Sequence, residues 1–439
     1  MNMTDKYFIR AYGCQMNQYE AGVVSAIMDK AGFLQVYSEG DADIVYLITC
    51  SVRNHAEQRA LGRLNSLRQL KRSRPNLIIG ILGCMAQNYK ETLASKYGAD
   101  VIAGPDEYRR LPELINKYNQ SCTPQVCVEF STENYEGIFP NTDGKVTGFI
   151  SVMRGCNNFC SYCIVPYVRG RERSKTKEQI IKETESLTKI GVQDITLVGQ
   201  NVLAWREKNF DFLDLIKEID DMPGFERLRF ITSHPKDLTT RHFEGFAYLN
   251  KFCPHIHLPL QSGSNRILSL MNRGYTKEEY IEKIEIARKI IPNIAFTTDV
   301  MVGFPTETEE DFQETIEVVK KLRFDFAYMF KYSERPNTKS CAIVPKVDDK
   351  ISQIRLTELI NLQSKITEAK SQELLDKELE VLIESRNGKQ SYARTKTNKV
   401  VVIDEPVEVG KICLSKIIRI SGWTPIGKIY HSNNEKEGL

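Results

Sequence analysis

The sequence lacks any apolar run long enough to span a membrane, and it lacks a strong excess of charge of either sign. A spanning helix needs about 20 predominantly apolar residues, so we expect no membrane partner. The 60 Lys and Arg residues are nearly balanced by 57 Asp and Glu residues, which leaves a formal net charge of +3. The net charge therefore does not indicate a nucleic-acid partner. Evidence for such a partner would have to come from a local cluster of basic residues.

The signs of a secreted, disulfide-bonded protein are also missing. The 11 cysteines are odd in number, and Met1 to Arg10 contains no apolar signal region. Disulfide frameworks use paired cysteines in oxidising compartments, so we expect a cytoplasmic location. With 41% hydrophobic and 27% charged residues over 439 positions, the chain has the composition of a globular protein with roughly three domains.

Histidine is scarce, with six in the whole chain, and none lies near the densest group of cysteines. That group, Cys156, Cys160 and Cys163, follows an apolar run, and the next cysteine is Cys253. A closed zinc site needs four Cys or His ligands, so the missing fourth ligand favours an iron-sulfur cluster with one iron left open for a substrate or cofactor. A zinc knuckle or a chance group of thiols is the alternative.

The first part of the chain alternates buried-looking strands with helices, which predicts a parallel α/β domain over residues 5–121. The helices are predicted at Asn17 to Lys30, with Asn17 as the cap, and at Asn54 to Arg72. The three predicted strands are Lys6 to Tyr12, Asp43 to Thr49 and Leu77 to Leu82. A linker with a polar hairpin at residues 141–144 follows, from Ser121 to about Lys145.

Each of these three strands is followed by a cysteine, namely Cys14, Cys50 and Cys84. Because the carboxyl ends of parallel strands meet at one edge of a sheet, we expect the three thiols to converge. A single buried cysteine is usually inert packing. Three equivalent placements instead predict a second iron-sulfur site with an open iron.

The spacing of Cys156, Cys160 and Cys163, with Tyr162 before the last, resembles the cluster loop of the radical S-adenosylmethionine (SAM) enzymes. In that superfamily the open iron of a 4Fe-4S cluster binds the amino and carboxylate groups of SAM. An electron from the cluster then cleaves SAM to a 5'-deoxyadenosyl radical. The resemblance implies the same cofactors here, with an electron donor such as flavodoxin or ferredoxin.

Residues 142–372 are predicted to form a partial (β/α)6 barrel with its function at the carboxyl ends of the strands. Helix starts resemble capping boxes at Thr176, Thr276 and Thr308. His255 and His257 alternate along one strand and are interpreted as packed or rim histidines. Polar residues near the strand ends, together with Tyr162, are candidates for binding SAM, although simple loop chemistry is an equal alternative: Gln200, Asn201, Ser233, Gln261, Ser262 and Asp299.

Residues 375–437 contain five short predicted strands, enough for a small β-barrel, after a connecting helix at Ile351 to Glu373. A stretch without acidic residues in this region carries five basic side chains and an aromatic one, a combination suited to RNA. A solvated charged hairpin is the alternative. The residues are Arg386, Lys389, Tyr392, Arg394, Lys396 and Lys399.

Along nearly its whole length the chain resembles the methylthiotransferases, which combine a three-cysteine domain, a radical SAM core and a C-terminal TRAM domain. Stretches that depart from the usual pattern are Leu203 to Trp205 and Arg171 to Lys175. The motifs that carry the resemblance are Tyr12-Gly13-Cys14-Gln15-Met16-Asn17, Thr49-Cys50-Ser51-Val52-Arg53, Gly83-Cys84-Met85-Ala86-Gln87, Pro166-Tyr167-Val168-Arg169-Gly170 and Gly199-Gln200-Asn201-Val202.

These motifs are most like the branch that methylthiolates carbon 2 of N6-isopentenyl (dimethylallyl) adenosine at tRNA position 37. The resemblance implies that the Cys14, Cys50 and Cys84 cluster supplies sulfur, that one SAM methylates it, and that the radical from a second SAM activates carbon 2. It also implies a tRNA anticodon stem-loop as partner, and we expect a monomer. Threonylcarbamoyl-adenosine in tRNA and a ribosomal-protein aspartate are alternative substrates, and a non-catalytic electron carrier or RNA-binding module is the alternative of another class.

Overall fold

The computed structural model describes residues 5–51, 54–142 and 144–429. Some positions used in the sequence analysis lie outside these ranges: Met1 to Thr4 of the N-terminal stretch, Val52 and Arg53 of the second cysteine motif, and Asp143 of the predicted hairpin. The same holds for residues 430–437 of the predicted C-terminal domain.

The N-terminal domain is a six-stranded parallel sheet in the order β2-β1-β3-β4-β5-β6. All six residues of β3 and of β4 are buried because helices cover both faces of the sheet. The strands are β1 (Lys6–Ala11), β2 (Leu34–Gln35), β3 (Ile44–Thr49), β4 (Ile78–Gly83), β5 (Val101–Ala103) and β6 (Gln125–Cys127). The helices are α1 (Gln15–Lys30), α2 (Asn54–Leu70), α3 (Cys84–Tyr89), α4 (Thr92–Ser95) and α5 (Leu111–Ser121).

Two predictions for this domain are wrong. Helix α1 begins at Gln15 rather than at a cap on Asn17, whose side-chain Nδ2 instead donates to the Tyr12 carbonyl from the first turn at 2.6 Å. The segment predicted as a linker contains β6, which pairs with β5 and extends the sheet past residue 121.

The central domain contains the six predicted parallel strands, confirming the partial barrel. They form two sheets, β7-β10-β13 and β14-β15-β16, which meet where Leu228 bridges in parallel to Phe252. The strands of this domain are β7 (Thr147–Ser151), β8 (Met153–Arg154), β9 (Arg173–Ser174), β10 (Asp194–Val198), β11 (Arg206–Glu207), β12 (Phe210–Asp211), β13 (Arg227–Phe230), β14 (His255–His257), β15 (Ala295–Val302) and β16 (Phe326–Lys331).

Helices pack on the outer side of these strands and enclose a large apolar core. The predicted capping boxes at Thr276 and Thr308 are present, and Thr176 accepts a hydrogen bond from the backbone N–H of Gln179. The helices are α6 (Val165–Arg169), α7 (Lys177–Lys189), α8 (Phe212–Asp220), α9 (Thr240–Ala247), α10 (Asn265–Leu270), α11 (Lys277–Ile290), α12 (Glu309–Leu322) and α13 (Asp349–Gln372). Among the described helices, none is long and apolar enough to cross a membrane.

The C-terminal domain is a closed five-stranded barrel in the order β17-β18-β19-β21-β20, as predicted. Its small core includes Val381, Ile383, Val401 and Ile417. The strands are β17 (Glu378–Asn387), β18 (Gln390–Thr395), β19 (Val400–Ile403), β20 (Ile412–Ser421) and β21 (Thr424–Ile429).

Buried arginines of β13 attach this barrel to the central domain. The Arg227 guanidinium donates to the Arg394 carbonyl at 2.6 Å, and that of Arg229 donates to the carbonyls of Thr395 and Lys396 at 2.9 Å. Charge-assisted bonds of this kind fix orientation strongly. The turn after β18 is therefore held against the amino end of the central strands.

Candidate active site: two cysteine triads

Cys14, Cys50 and Cys84 lie together at the carboxyl edge of the N-terminal sheet. The hydrogen bond between Cys14 and Cys50 lowers the pKa of the Cys14 thiol to about 6, against the opposing effect of burial. Burial raises the pKa of Cys84, with the charge of Cys14 among the groups that contribute. The structure thus brings together three thiols that are more than thirty residues apart in sequence.

Two glycines at the strand ends make this approach possible. Gly13 has φ +117, and a Cβ there would lie 2.6 Å from the Cys50 Cβ. Gly83 has φ +90, and a Cβ there would lie 2.9 Å from the Thr49 carbonyl oxygen. Because L-residues with a side chain rarely adopt such angles, glycine is required where the chain turns from strand to cysteine.

Cys156, Cys160 and Cys163 lie in a loop closed at its base by the antiparallel pair β8 and β9. Arg273 supports this loop, because one of its nitrogens donates to the Cys160 sulfur at 3.3 Å and another to the Pro259 carbonyl at 3.0 Å. Burial raises the pKa of Cys156 to about 11 and raises that of Cys163 further.

The donor chemistry of both triads fits an iron-sulfur cluster. Within the described ranges, no three His, Cys, Asp or Glu side chains are arranged around a single metal ion, and in a cluster each thiolate binds a different iron. Thiols whose pKa is raised by burial become thiolates when a metal replaces the proton. Arg169 beside Cys84 and Arg273 beside Cys160 would offset the negative charge of the ligated sulfurs.

Helix α6 connects the two triads directly. It begins two residues after Cys163 and ends at Arg169, whose Nε donates to the Cys84 sulfur at 3.1 Å. Ile164 and Val168 pack against the same cysteine. A short helix that starts beside one triad therefore ends in contact with the other.

A buried network of charges surrounds this contact. Arg169 pairs with Glu20 at 2.6 Å, and Arg154 pairs with Glu20 at 3.1 Å and with Asp106 at 3.6 Å. Although burial opposes ionisation, the two arginines hold the pKa of the Glu20 carboxyl below its ordinary value. The N-terminal and central domains are therefore joined by fully desolvated ion pairs at the level of the triads.

Four of the predicted SAM-binding residues lie around the Cys156 loop and the strand ends. Gln200 accepts a hydrogen bond from the Gly155 N–H at 2.7 Å, and the Tyr162 hydroxyl lies 3.5 Å from a donor nitrogen of Arg273. Asn201 donates to Asp237 at 2.7 Å, and Ser233 donates to the His257 carbonyl at 2.8 Å. Gln200 thus anchors the cluster loop, while the SAM contacts of all four stay predictions.

The remaining three SAM candidates differ in what they offer a ligand. Gln261 Oε1 and Asp299 Oδ1 are buried without a hydrogen-bond partner within the protein, whereas buried polar atoms ordinarily have one, so both oxygens can accept from a ligand. Ser262 is 1% exposed, and its hydroxyl lies 3.4 Å from that of Thr315. The first two fit a polar cofactor, whereas the hydroxyl of Ser262 is occupied within the protein.

Comparison with known proteins agrees with this geometry. The profile of the radical SAM superfamily matches residues 150–319, and that of the uncharacterized protein family UPF0004 matches residues 6–104. A protein of Thermoanaerobacter sp. named tRNA-2-methylthio-N(6)-dimethylallyladenosine synthase is 42% identical over 96% of this chain and 92% of its own length. A protein of the same name from Azobacteroides pseudotrichonymphae is 42% identical over 97% of each chain.

The chain belongs to the family of tRNA-2-methylthio-N(6)-dimethylallyladenosine synthases. As a member of this family and of the radical SAM superfamily, it uses SAM and 4Fe-4S clusters. Its fold is similar to that of the radical SAM methyltransferase TsrM from Kitasatospora setae, solved with cobalamin and a 4Fe-4S cluster bound. That match has a TM-score of 0.56 at 14% identity and covers 77% of this chain and 74% of that one.

The structure divides the residues predicted to bind RNA in this methylthiotransferase. Arg386 and Lys389 are exposed at the tip of the β17–β18 hairpin, with the half-buried Tyr392 behind them. Arg394 is paired with Glu384, Lys396 lies 3.6 Å from Glu380, and Lys399 donates to Ser371 at 2.9 Å. The RNA role of all six stays a prediction, and among the six the exposed cations are Arg386 and Lys389 at the hairpin tip.

The residues that support the cysteines were not predicted. Arg169 lies within one of the motifs that carry the family resemblance, but no role was predicted for it, for Glu20 or for Arg273. The two stretches that depart from the family pattern contact each other, because the Trp205 indole N–H donates to the Lys175 carbonyl at 2.8 Å. The two departures therefore pack together in the fold.

Proposed function

We propose that this radical SAM tRNA methylthiotransferase adds a methylthio group to carbon 2 of N6-isopentenyl-adenosine at tRNA position 37. The observation that carries the proposal is helix α6, which begins two residues after Cys163 and ends at Arg169, whose Nε donates to the Cys84 sulfur. A chain that only carried electrons or bound RNA would have no need of a sulfur site beside a radical site.

The chemistry explains why two metal sites are needed. The hydrogen on carbon 2 of adenine is not acidic enough for a side-chain base near neutral pH. When bound, SAM at the Cys156 loop supplies a radical for hydrogen abstraction, and the cluster at Cys14, Cys50 and Cys84 supplies sulfur. The protein binds both groups, orients them and keeps water away.

Residues of the chain perform these tasks in different places. Arg273 and Gln200 hold the Cys156 loop, and Arg169 with Glu20 closes the buried junction between the domains. Gln261 and Asp299 offer unpaired buried oxygens to the cofactor. A base in a stacked anticodon loop must be turned out before it can react, and the exposed cations at the β17–β18 hairpin grip the RNA.

The cellular setting completes the proposal. The enzyme acts as a monomer in the cytoplasm, where its tRNA substrate is found. Reduced flavodoxin or ferredoxin provides the electron for SAM cleavage.

Cysteine variants test this division of labour. With reconstituted clusters and reductant, Cys14→Ala should release 5'-deoxyadenosine but insert no sulfur, whereas Cys156→Ala should lose both activities. Cys122→Ala is the matched control, since this thiol is exposed and lies outside both triads. Loss of SAM cleavage in Cys14→Ala would contradict the assignment of the two sites.

Nucleosides from a strain lacking the gene identify the substrate. Methylthiolated isopentenyl-adenosine should disappear from its tRNA, as measured by mass spectrometry. Its persistence would rule out this substrate, and a missing modification on threonylcarbamoyl-adenosine or on a ribosomal-protein aspartate would identify the replacement.

A further inference from the structure

Strand β16, at the edge of the central barrel, exposes three aromatic side chains at alternate positions. Phe326, Tyr328 and Phe330 are 38%, 44% and 36% exposed. The residues between them, Ala327 and Met329, point to the other face, where Met329 packs against the main core. The three aromatic residues, hereafter the aromatic strip, are therefore on the side of the strands away from the helices.

The register of β16 on β15 places the strip beside the candidate cofactor site. Phe326 is opposite Thr297, Tyr328 opposite Asp299 and Phe330 opposite Met301. Registered neighbours in a sheet point to the same face, so the strip shares its face with Asp299. The Tyr328 ring is also 5.9 Å from the His257 ring, and His257 Nε2 lies 3.5 Å from Asp299 Oδ2.

The Phe330 end of the strip lies near the Cys156 loop. Met301, the neighbour of Phe330, belongs to a small apolar cluster in which Tyr162 takes part. Tyr162 directly precedes Cys163. The strip thus extends from the cofactor candidates on β15 to the side of the cysteine loop.

We propose that the aromatic strip binds the target adenine by stacking and shelters its apolar N6 substituent. Exposed aromatic side chains in a row beside a functional site indicate a ligand surface, and aromatic side chains stack on bases that are turned out of RNA. The face lies next to the Asp299 carboxylate and extends toward the Cys156 loop, so its position suits a base that reacts beside the cofactor. This inference rests on the proposed function and identifies where its substrate binds.

Binding measurements with short RNAs test the strip. Anticodon stem-loops with and without the N6-isopentenyl group at position 37 are titrated against the reconstituted protein, and fluorescence anisotropy gives Kd. Tyr328→Ala with Phe330→Ala should weaken binding of the isopentenylated RNA about tenfold, which lies within the range that one base stack contributes. The preference of the wild-type protein for the isopentenylated RNA should also disappear.

Two further variants separate stacking from general damage. Tyr328→Phe keeps the ring and should bind the isopentenylated RNA as the wild-type protein does. Tyr248→Ala removes an aromatic side chain that is 86% exposed outside the strip, and should also leave Kd unchanged. Equal iron content and melting temperature in all variants would show that they are folded.

The inference is overturned if the double variant keeps the wild-type Kd and preference while the wild-type protein methylthiolates the isopentenylated RNA. It is also overturned if sedimentation shows a wild-type dimer that the double variant abolishes, because the strip would then be a contact between copies. If the wild-type protein modifies no isopentenylated RNA but the double variant still loses affinity, the proposed function fails and the stacking surface stands.

Discussion

His234 is a buried imidazole that follows the SAM candidate Ser233. Burial, with the nearby charges of Arg273 and Lys236, lowers the pKa of His234 to about 2. Its Nδ1 accepts a hydrogen bond from the Lys236 N–H at 3.3 Å, while its Nε2 is buried without a partner. The side chain therefore stays neutral in the folded protein at pH values where it becomes charged in the unfolded chain.

This difference predicts a loss of stability in mild acid. The pKa of His234 is lower in the folded protein than in the unfolded chain. Its contribution to the free energy of unfolding is therefore fully present above about pH 6.5, and it falls below that pH as the unfolded state takes up a proton. In His234→Asn the side chain can still accept a hydrogen bond from the Lys236 N–H. Between pH 7 and pH 5.5 its free energy of unfolding should fall by about 1 kcal/mol less than that of the wild-type protein. Urea unfolding at the two pH values measures this.

The matched control for His234 is His55→Asn, because His55 is exposed on α2. It should show the wild-type dependence of unfolding free energy on pH. An equal dependence in His234→Asn would mean that the buried imidazole does not resist protonation.

At the same scale, prediction from sequence found the cysteines that lie together but missed the residues that support them, and the role of the cysteines as metal ligands stays a prediction. The cysteines were found because three of them follow predicted parallel strands and three are dense in one loop. Arg169 and Glu20 are 149 residues apart, and no local pattern pairs two such residues. Lys399 stays a predicted RNA contact, but the basic stretch in the sequence does not show that its ammonium donates to the Ser371 hydroxyl.

Among the elements, the loop that carries Cys156 depends on a turn at Gly155. Its φ is +74, and a Cβ there would overlap the carbonyl of Arg171. Gly155→Ala should therefore displace the loop and reduce the iron bound after reconstitution by about half, since one of the two clusters is lost. Iron and sulfide analysis with absorption spectra measures the loss.

Gly191→Ala is the control for the strain of a positive φ alone. Gly191 has φ +87, but a Cβ there would have nothing within 4 Å. It should lower stability slightly and leave the iron content at the wild-type value. Equal iron content in both variants would show that the loop tolerates the displacement.

Element prediction was most reliable where a helix begins at a clear cap. Helices α11 and α12 both begin at the capping boxes predicted at Thr276 and Thr308. The three-residue strands β5 and β6 were missed because so short a segment has no periodicity to recognise. β6 exists through its pairing with β5, which is a tertiary effect.

The whole molecule is held together at two different kinds of junction. The C-terminal barrel is attached through hydrogen bonds from Arg227 and Arg229 to backbone carbonyls of β18 and the turn after it. The N-terminal domain is attached through the buried ion pairs of Glu20 and through apolar contacts of α1 with β7 and β10. Only the second junction contains a cysteine of either triad, so its geometry sets the relation between the two sites.

Arg169 gives a direct test of that junction. Arg169→Gln leaves Glu20 with one arginine fewer in a buried setting, which should lower the free energy of unfolding of the metal-free protein by about 3 kcal/mol. Arg169→Lys keeps the charge without the forked geometry and should give an intermediate loss. Arg241→Gln breaks an ion pair with Asp211 whose arginine is 58% exposed, and should cost at most about 1 kcal/mol.

The same variants separate a structural role of Arg169 from one at the sulfur site. In a protein whose Cys156, Cys160 and Cys163 are all replaced by alanine, the remaining iron belongs to the other triad. Arg169→Gln should lower that iron content and shift its absorption spectrum, because the donor to the Cys84 sulfur is gone. If the spectrum and iron content match those of Arg241→Gln in the same background, Arg169 stabilises the domain junction without acting on the cluster.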